Sequence, residues 1–93
     1  MEFEWDDAKA ESNLQKHGIS FTEAITVFDD PLAATGYDRR HSVEEDRYVT
    51  VGLSILGRML IISHTDRGRN VRVVSAREAN RKERKDYEDG KFP

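Results

Sequence analysis

The sequence predicts a single α+β domain over residues 1–93, in which helices pack on a mostly antiparallel sheet. Three observations predict this class. Two segments with helix-capping signals follow a short strand-like N-terminus. Strand-like segments rich in valine and isoleucine come next, separated by short polar or glycine-containing turns, which favours hairpins. A charged helix-like segment then closes the chain, so the predicted order is β-α-α-β-β-β-β-α.

The N-terminus predicts a strand and then a helix. Residues 2–5 alternate glutamate with aromatic side chains, which is the pattern of a half-buried strand. Asp6 or Asp7 can cap a helix that runs to about His17. Gly18 marks its end, because glycine readily adopts the left-handed conformation found just past a helix.

The second helix has the clearest start in the chain. Ser20 and Glu23 form an S-x-x-E capping box. Apolar residues at 21, 24, 25 and 28 follow the i, i+3, i+4, i+7 spacing of one helix face. The Asp-Asp-Pro sequence at 29–31 ends the helix, since proline cannot continue it.

The middle of the chain predicts the sheet. A short strand over 33–38 precedes a charged loop at 39–46. The three strands that follow are expected at 48–53, 58–64 and 71–75, with turns at Gly57 and 66–70.

A second S-x-x-E pattern predicts the last helix. Ser75 and Glu78 would cap a helix from residue 76 to about 88, which places Arg77 in its first turn. This helix is nearly all polar, so it needs a docking partner or a functional reason. The alternative is that the run of charges at 81–85 simply forms a solvent-exposed face of the helix.

Composition excludes several classes of protein. The chain has no cysteine, which rules out a disulfide, a thiolate metal site and a thiol nucleophile. The acidic N-terminus lacks the order of a signal peptide, and apolar runs are too short to span a bilayer. We therefore expect a cytoplasmic protein with no membrane partner. The three histidines lack metal-ligand spacing and no phosphate-binding glycine loop is present, so we expect no metal and no cofactor.

Charge is unevenly distributed along the chain. Residues 57–85 hold nine basic and three acidic groups, a net charge of +6. Residues 1–56 hold five basic and twelve acidic groups, a net charge of −7. A local positive field of this kind attracts a polyanion although the whole chain is acidic.

The residues around the predicted hairpins include the groups that metal-free RNA cleavage requires. His64 precedes a turn, a carboxylate pair at 44–45 precedes the neighbouring strand, and several arginines surround both. A base removes the 2′-hydroxyl proton, and cations stabilise the charge that develops on phosphorus. Strand alternation, however, places Arg72 and Ser75 on opposite faces. The alternatives are a packed His64 and an exposed salt bridge between Glu45 and Arg47.

Motifs along residues 3–88 resemble the BrnT family, the toxin half of a type II toxin–antitoxin pair. The matching segments are F-E-W-D-D-A-K at 3–9, K-H-G-I-S-F-T-E-A at 16–24, V-F-D-D-P at 27–31, E-E-D-R-Y at 44–48, H-T-D-R-G at 64–68, R-V-V-S-A-R-E-A at 72–79 and E-R-K-D-Y at 83–87.

The resemblance implies a small endoribonuclease of RelE-like fold that cleaves RNA and inhibits translation and growth. It also implies a cognate BrnA-like antitoxin, with promoter DNA bound only through the antitoxin complex. By analogy, Glu45 is a candidate base or orienting carboxylate, and His64 a candidate general acid or base. The candidate phosphate and transition-state ligands are Arg47, Arg67, Arg72 and Arg77, and further RNA contacts are expected from Arg69, Lys9 and Lys16.

Two other functions compete with an RNA-cleaving toxin. A non-catalytic corepressor or nucleic-acid-binding module would use the same cationic surface for DNA or for an acidic partner segment. Its affinity would fall steeply with salt while RNA stayed intact. An inactive interaction module would show no toxicity when expressed alone.

Overall fold

Five strands form one sheet in the spatial order β1-β5-β4-β3-β2 in the computed structural model, which describes residues 1–92. Only β1 and β5 are parallel, and the other neighbours are antiparallel. The predicted α+β class with a mostly antiparallel sheet is confirmed. The elements are β1 Glu2–Glu4, α1 Asp7–His17, α2 Phe21–Ala24, a 3₁₀ helix Ile25–Asp29, β2 Ala34–Tyr37, β3 Tyr48–Leu53, β4 Met59–Arg67, β5 Asn70–Glu78 and α3 Arg81–Glu88.

The first two helices begin where the capping residues predict. The Asp6 carboxylate accepts a hydrogen bond from the Lys9 amide at 3.0 Å, and Gly18 ends α1 with φ of 70°. The Ser20 hydroxyl accepts one from the Glu23 amide at 3.0 Å. The second helix was predicted as one α-helix, but after Ala24 it tightens into the 3₁₀ helix, a common form of a helix end.

The main core lies between one face of the sheet and the first two helices. This helix face of the sheet carries Leu60, Ile62, Val73 and Ala76. The helices and their connection cover it with Ile19, Phe21, Ala24 and Val27, all of which are almost completely buried. The opposite face, which we call the open face, has a smaller apolar cluster around Val51, Ile61 and Ala79, and residues Tyr87 and Phe92 pack against it.

A bulge in β5 changes which side chains share the open face. Ser63 pairs with Ser75 but His64 pairs with Val73, so Val74 is an extra residue in β5. Arg72 pairs with Thr65, which lies two residues from Ser63 and therefore on the same face. The prediction that Arg72 and Ser75 face opposite ways is thus wrong, because simple alternation does not hold across a bulge.

The predicted start of the last helix is also wrong. Residues 76–78 pair with 60–62 of β4 and continue the strand, so Ser75 caps nothing. The capping box instead joins Asn80 and Glu83, whose side chains each accept the other residue's backbone amide. Arg77 therefore lies on a strand, opposite Ile61, and its side chain belongs to the open face.

Ion pairs join the acidic and basic parts of the chain. Arg58 pairs with Glu23, Arg67 with Glu45 and Arg72 with Glu4. Much of the charge separation seen along the sequence is therefore neutralised in space. None of the helices in residues 1–92 has the length and apolar character needed to span a bilayer.

Candidate functional site

A cleft of about 630 Å³ lies on the open face of the sheet. Its floor consists of Val49, Ile61, Ser63 and Ser75, contributed by the three central strands. The loop after β2 and Arg47 form one wall. Arg77, Glu83 and Phe92 form the other, so the cleft is bordered by basic side chains above a partly apolar floor.

The loop wall carries a histidine that a carboxylate orients. Nδ1 of His41 lies 2.8 Å from Oδ2 of Asp38, and the His41 amide donates to Oδ1 of the same residue at 3.3 Å. This side chain is 65% exposed, whereas that of Asp38 is only 15% exposed. The carboxylate holds the ring through Nδ1, so Nε2 is the nitrogen that could serve a ligand in the cleft that this side chain lines.

Hydrogen bonds across the loop hold this pair in place. The Asp38 amide donates to the Arg47 carbonyl at 2.8 Å. Ser42 Oγ donates to the Asp38 carbonyl at 2.5 Å and accepts from the Arg47 amide at 2.9 Å. These hydrogen bonds join the two ends of the loop at 38–47 and so keep His41 and Arg47 on the same wall.

Arg77 is held on the opposite wall by Glu83. Its two terminal nitrogens each donate to one carboxylate oxygen at 2.8 Å. This pairing lowers the pKa of Glu83 and raises that of Arg77. The guanidinium lines the cleft, but its charge is shared with the carboxylate of α3.

Glu45 and Arg67 lie at the rim. Oε2 of Glu45 is 3.1 Å from Arg67, and Oε1 is 3.9 Å from Arg47. A small hollow lined by Glu45 shares His41 and Arg47 with the main cleft. The structure thus brings together Glu45, Arg47, Arg67 and Arg77 of the residues selected from the sequence, on or near one cleft.

His64 lies on the other face of the sheet. It is 5% exposed, its Nε2 is 2.8 Å from the Thr50 hydroxyl, and its ring packs between Phe28 and Tyr48. Burial lowers its pKa, against a weaker opposing effect of Asp66. The structure therefore places it as a packed core histidine, away from the cleft.

The remaining predicted cations lie around the cleft. Arg72 is on the open face but pairs with Glu4 at 2.8 Å, and Arg69 is exposed in the β4–β5 turn. Lys9 and Lys16 line a shallow groove that includes Ser75, a residue that also lines the cleft. The groove and the cleft therefore meet at Ser75 of β5.

Sequence reasoning missed the Asp38–His41 pair. The signal that could have found it is the D-x-x-H spacing inside D-R-R-H-S, which brings two more arginines, Arg39 and Arg40, to the same wall. Residues 1–92 contain no cluster of three or more histidine and carboxylate groups arranged to hold a metal ion.

Comparison with known proteins identifies the family. The family model described as ribonuclease toxin, BrnT, of type II toxin–antitoxin system matches residues 5–83. A crystal structure of the Brucella abortus ribonuclease toxin BrnT superposes with a TM-score of 0.70 at 21% sequence identity, covering 87% of this chain and 99% of that one. A search of curated proteins gave no match. Because the family model spans most of the sequence, the chain belongs to the BrnT family of type II toxin–antitoxin toxins.

Proposed function

We propose that this toxin is a metal-independent endoribonuclease of RelE-like type that cleaves RNA in the open-face cleft and so inhibits translation and growth. The observation that carries the proposal is the oriented His41 on one wall and Arg77 on the other, with Arg47 beside the histidine. A base and phosphate-binding cations in one cleft are the groups that RNA transesterification needs.

In the proposed reaction, Nε2 of His41 takes the proton of a 2′-hydroxyl. The 2′-oxygen then bonds to the adjacent phosphorus, the P–O5′ bond breaks, and the 5′-oxygen takes a proton from solvent in the open cleft. Asp38 stabilises the imidazolium that forms, since its carboxylate is 2.8 Å from Nδ1. Acid–base help of this kind contributes about 10²–10⁴-fold.

The arginines have different roles in this scheme. The carboxylate nearest to Arg47 is that of Glu45, at 3.9 Å, which is too far for a hydrogen bond. The Arg47 guanidinium is therefore available to bind phosphate. Arg77 binds the phosphorane oxygens with the planar fork that now holds Glu83. Glu45 positions Arg47 and Arg67 rather than acting as the base. His64 takes no part, because it is buried on the other face.

Outer cations extend the RNA path. Lys9 and Lys16 follow the groove beyond Ser75, and Arg69 and Arg72 lie towards the other end of β5. We propose that they bind backbone phosphates, which makes RNA affinity fall with salt. We also propose a cytoplasmic location, inhibition by a BrnA-like antitoxin, and promoter binding only through that antitoxin.

Purified protein incubated with RNA in excess EDTA tests the proposal. Wild type is expected to cut the RNA, and Arg77→Ala to cut it about 10²–10³-fold more slowly, the usual effect of removing one transition-state donor. Arg81→Ala, which removes an exposed arginine of α3, is the matched control and is expected to cut at the wild-type rate. Intact RNA with both wild type and Arg77→Ala, together with salt-sensitive binding, would favour the corepressor instead.

A further inference from the structure

An apolar patch lies at one end of the molecule, where the β3–β4 turn meets the segment before β2. We call it the hairpin-tip patch, and it consists of Leu32, Leu53, Ile55 and Leu56. Leu32, Ile55 and Leu56 are 76%, 78% and 69% exposed. These four are half of the eight exposed large apolar residues of the described chain, so the exposed apolar surface is concentrated here.

Hydrogen bonds hold the patch together. The Asp30 carboxylate accepts from the Leu32 amide at 2.9 Å and from the Leu53 amide at 2.8 Å, so these two segments are fixed side by side. The Ile55 amide donates to the Thr26 hydroxyl at 2.9 Å. The patch is thus a prearranged surface, which lowers the ordering cost of binding.

An ion pair between the buried Glu23 and the partly exposed Arg58 supports the turn. Glu23 accepts hydrogen bonds from Ser54 Oγ at 2.7 Å and from Arg58 Nε at 3.0 Å, at the two ends of the turn. The turn itself presents Ile55 and Leu56, where turns usually carry glycine, asparagine, aspartate or serine. Exposed apolar residues gathered on a rigid turn indicate an interaction surface.

The charge around the patch decides the class of partner. The charged side chains that hydrogen-bond or pair at the patch are Glu23, Asp30 and Glu78 with Arg58, which gives these four a net charge of −2. A surface of that sign repels RNA and DNA. It attracts a protein segment that has apolar side chains between lysines or arginines.

We propose that the hairpin-tip patch is the docking surface for the antitoxin, which inserts apolar side chains flanked by basic residues around Ile55 and Leu56. The identity of this partner rests on the proposed function as a toxin. None of the four patch residues lines the cleft, whose nearest floor residue along β4, Ile61, is two residues from Met59, or about 7 Å at roughly 3.3 Å per residue. The proposed antitoxin anchor therefore lies beside the RNA-binding cleft without forming part of it.

Titration calorimetry with the purified antitoxin of the same operon tests the proposal. The double variant Ile55→Ser/Leu56→Ser is expected to bind the antitoxin about 100-fold more weakly, since each lost anchor costs roughly tenfold. Val43→Ser is the matched control, because Val43 is equally exposed but lies on the loop beside the cleft. It is expected to keep wild-type affinity.

RNA cleavage by the same proteins separates the two proposals. The double variant is expected to cut RNA at the wild-type rate while antitoxin no longer inhibits it at wild-type concentrations. Wild-type antitoxin affinity in the double variant, or a loss confined to Val43→Ser, would overturn the docking surface. Leu32→Ser provides a second variant of the patch outside the turn, and thermal melts confirm that each protein is folded. Failure of the wild-type protein to cut RNA would count against RNA cleavage in the cleft and would leave the docking surface unaffected.

Discussion

Arg77 donates two hydrogen bonds to Glu83, each 2.8 Å long, and so ties a cleft residue of β5 to the first turn of α3. The same carboxylate accepts the Asn80 amide at 2.9 Å as part of the capping box. One side chain therefore both caps the last helix and pairs with Arg77, the residue that we propose binds the RNA phosphate.

Glu83→Gln is expected to separate these two roles. The variant should lose about 1–2 kcal/mol of unfolding free energy, because charge-assisted hydrogen bonds and part of the cap are lost. It should also bind RNA more tightly, since Arg77 is released for phosphate. Urea unfolding and RNA titration measure the two effects.

The control for this variant is Asp86→Asn, which breaks the exposed pair between Lys82 and Asp86 on the same helix. Exposed pairs contribute little, so its stability should change by less than about 0.5 kcal/mol. Equal losses in both variants, with unchanged RNA affinity, would show that the Arg77–Glu83 pair has no special role.

Asn13→Ala is expected to destabilise the fold by about 2–4 kcal/mol. The buried Asn13 amide donates to the Ile19 and Ala76 carbonyls at 2.9 and 2.8 Å and accepts the Ala76 amide at 3.1 Å. The substitution leaves these backbone groups without partners in a buried site, which costs about 1–3 kcal/mol each when unrelieved by water. Thermal unfolding measures the loss, and the exposed neighbour Ser12→Ala should cost almost nothing.

Stability is expected to fall as pH drops from about 7.5 to 5.5 because of His64. Burial lowers its pKa below the ordinary 6.5, so the unfolded chain takes up a proton in this range before the folded chain does. Proton uptake by the unfolded state lowers the free energy of unfolding.

Urea unfolding at several pH values tests this expectation. His64→Gln should remove most of the slope between pH 7.5 and 5.5, whereas a variant of the exposed His17, His17→Gln, should keep it. The carboxylate Glu23, whose pKa is lowered mainly by Arg58, contributes stability that is lost only as pH falls below about 4.5. An unchanged slope in His64→Gln would contradict the assignment of this pH range to His64.

The regular parts of the fold could be predicted from local signals. Asp6, Gly18 and Ser20 mark helix ends through backbone geometry that the adjacent residues determine. Strand 48–53 has the predicted bounds, and the strand predicted at 58–64 is observed at 59–67, so it extends into the expected turn at 66–70. Both strands follow from runs of β-branched residues. These features depend on short-range chemistry, which a single sequence displays directly.

The start of the last helix, the bulge in β5 and the positions of the two histidines could not be predicted, because they depend on pairing between residues far apart in the sequence. Ser75 and Glu78 have the spacing of a capping box, but pairing of 76–78 with β4 keeps them in a strand. The bulge at Val74 reverses the alternation of β5 and brings Arg72 and Arg77 to one face. His64 and His41 cannot be distinguished by sequence alone, because the sheet face and the loop closure that separate them form only in three dimensions.

The rate of RNA cleavage in EDTA by His41→Gln and His64→Gln, compared with wild type, tests the proposed cleft most directly. We predict that His41→Gln loses about 10²–10⁴-fold in rate, the usual contribution of a general base, while remaining folded. His64→Gln is predicted to cleave at nearly the wild-type rate at a temperature where it is folded. The opposite result, with cleavage lost in His64→Gln and retained in His41→Gln, would contradict the open-face site.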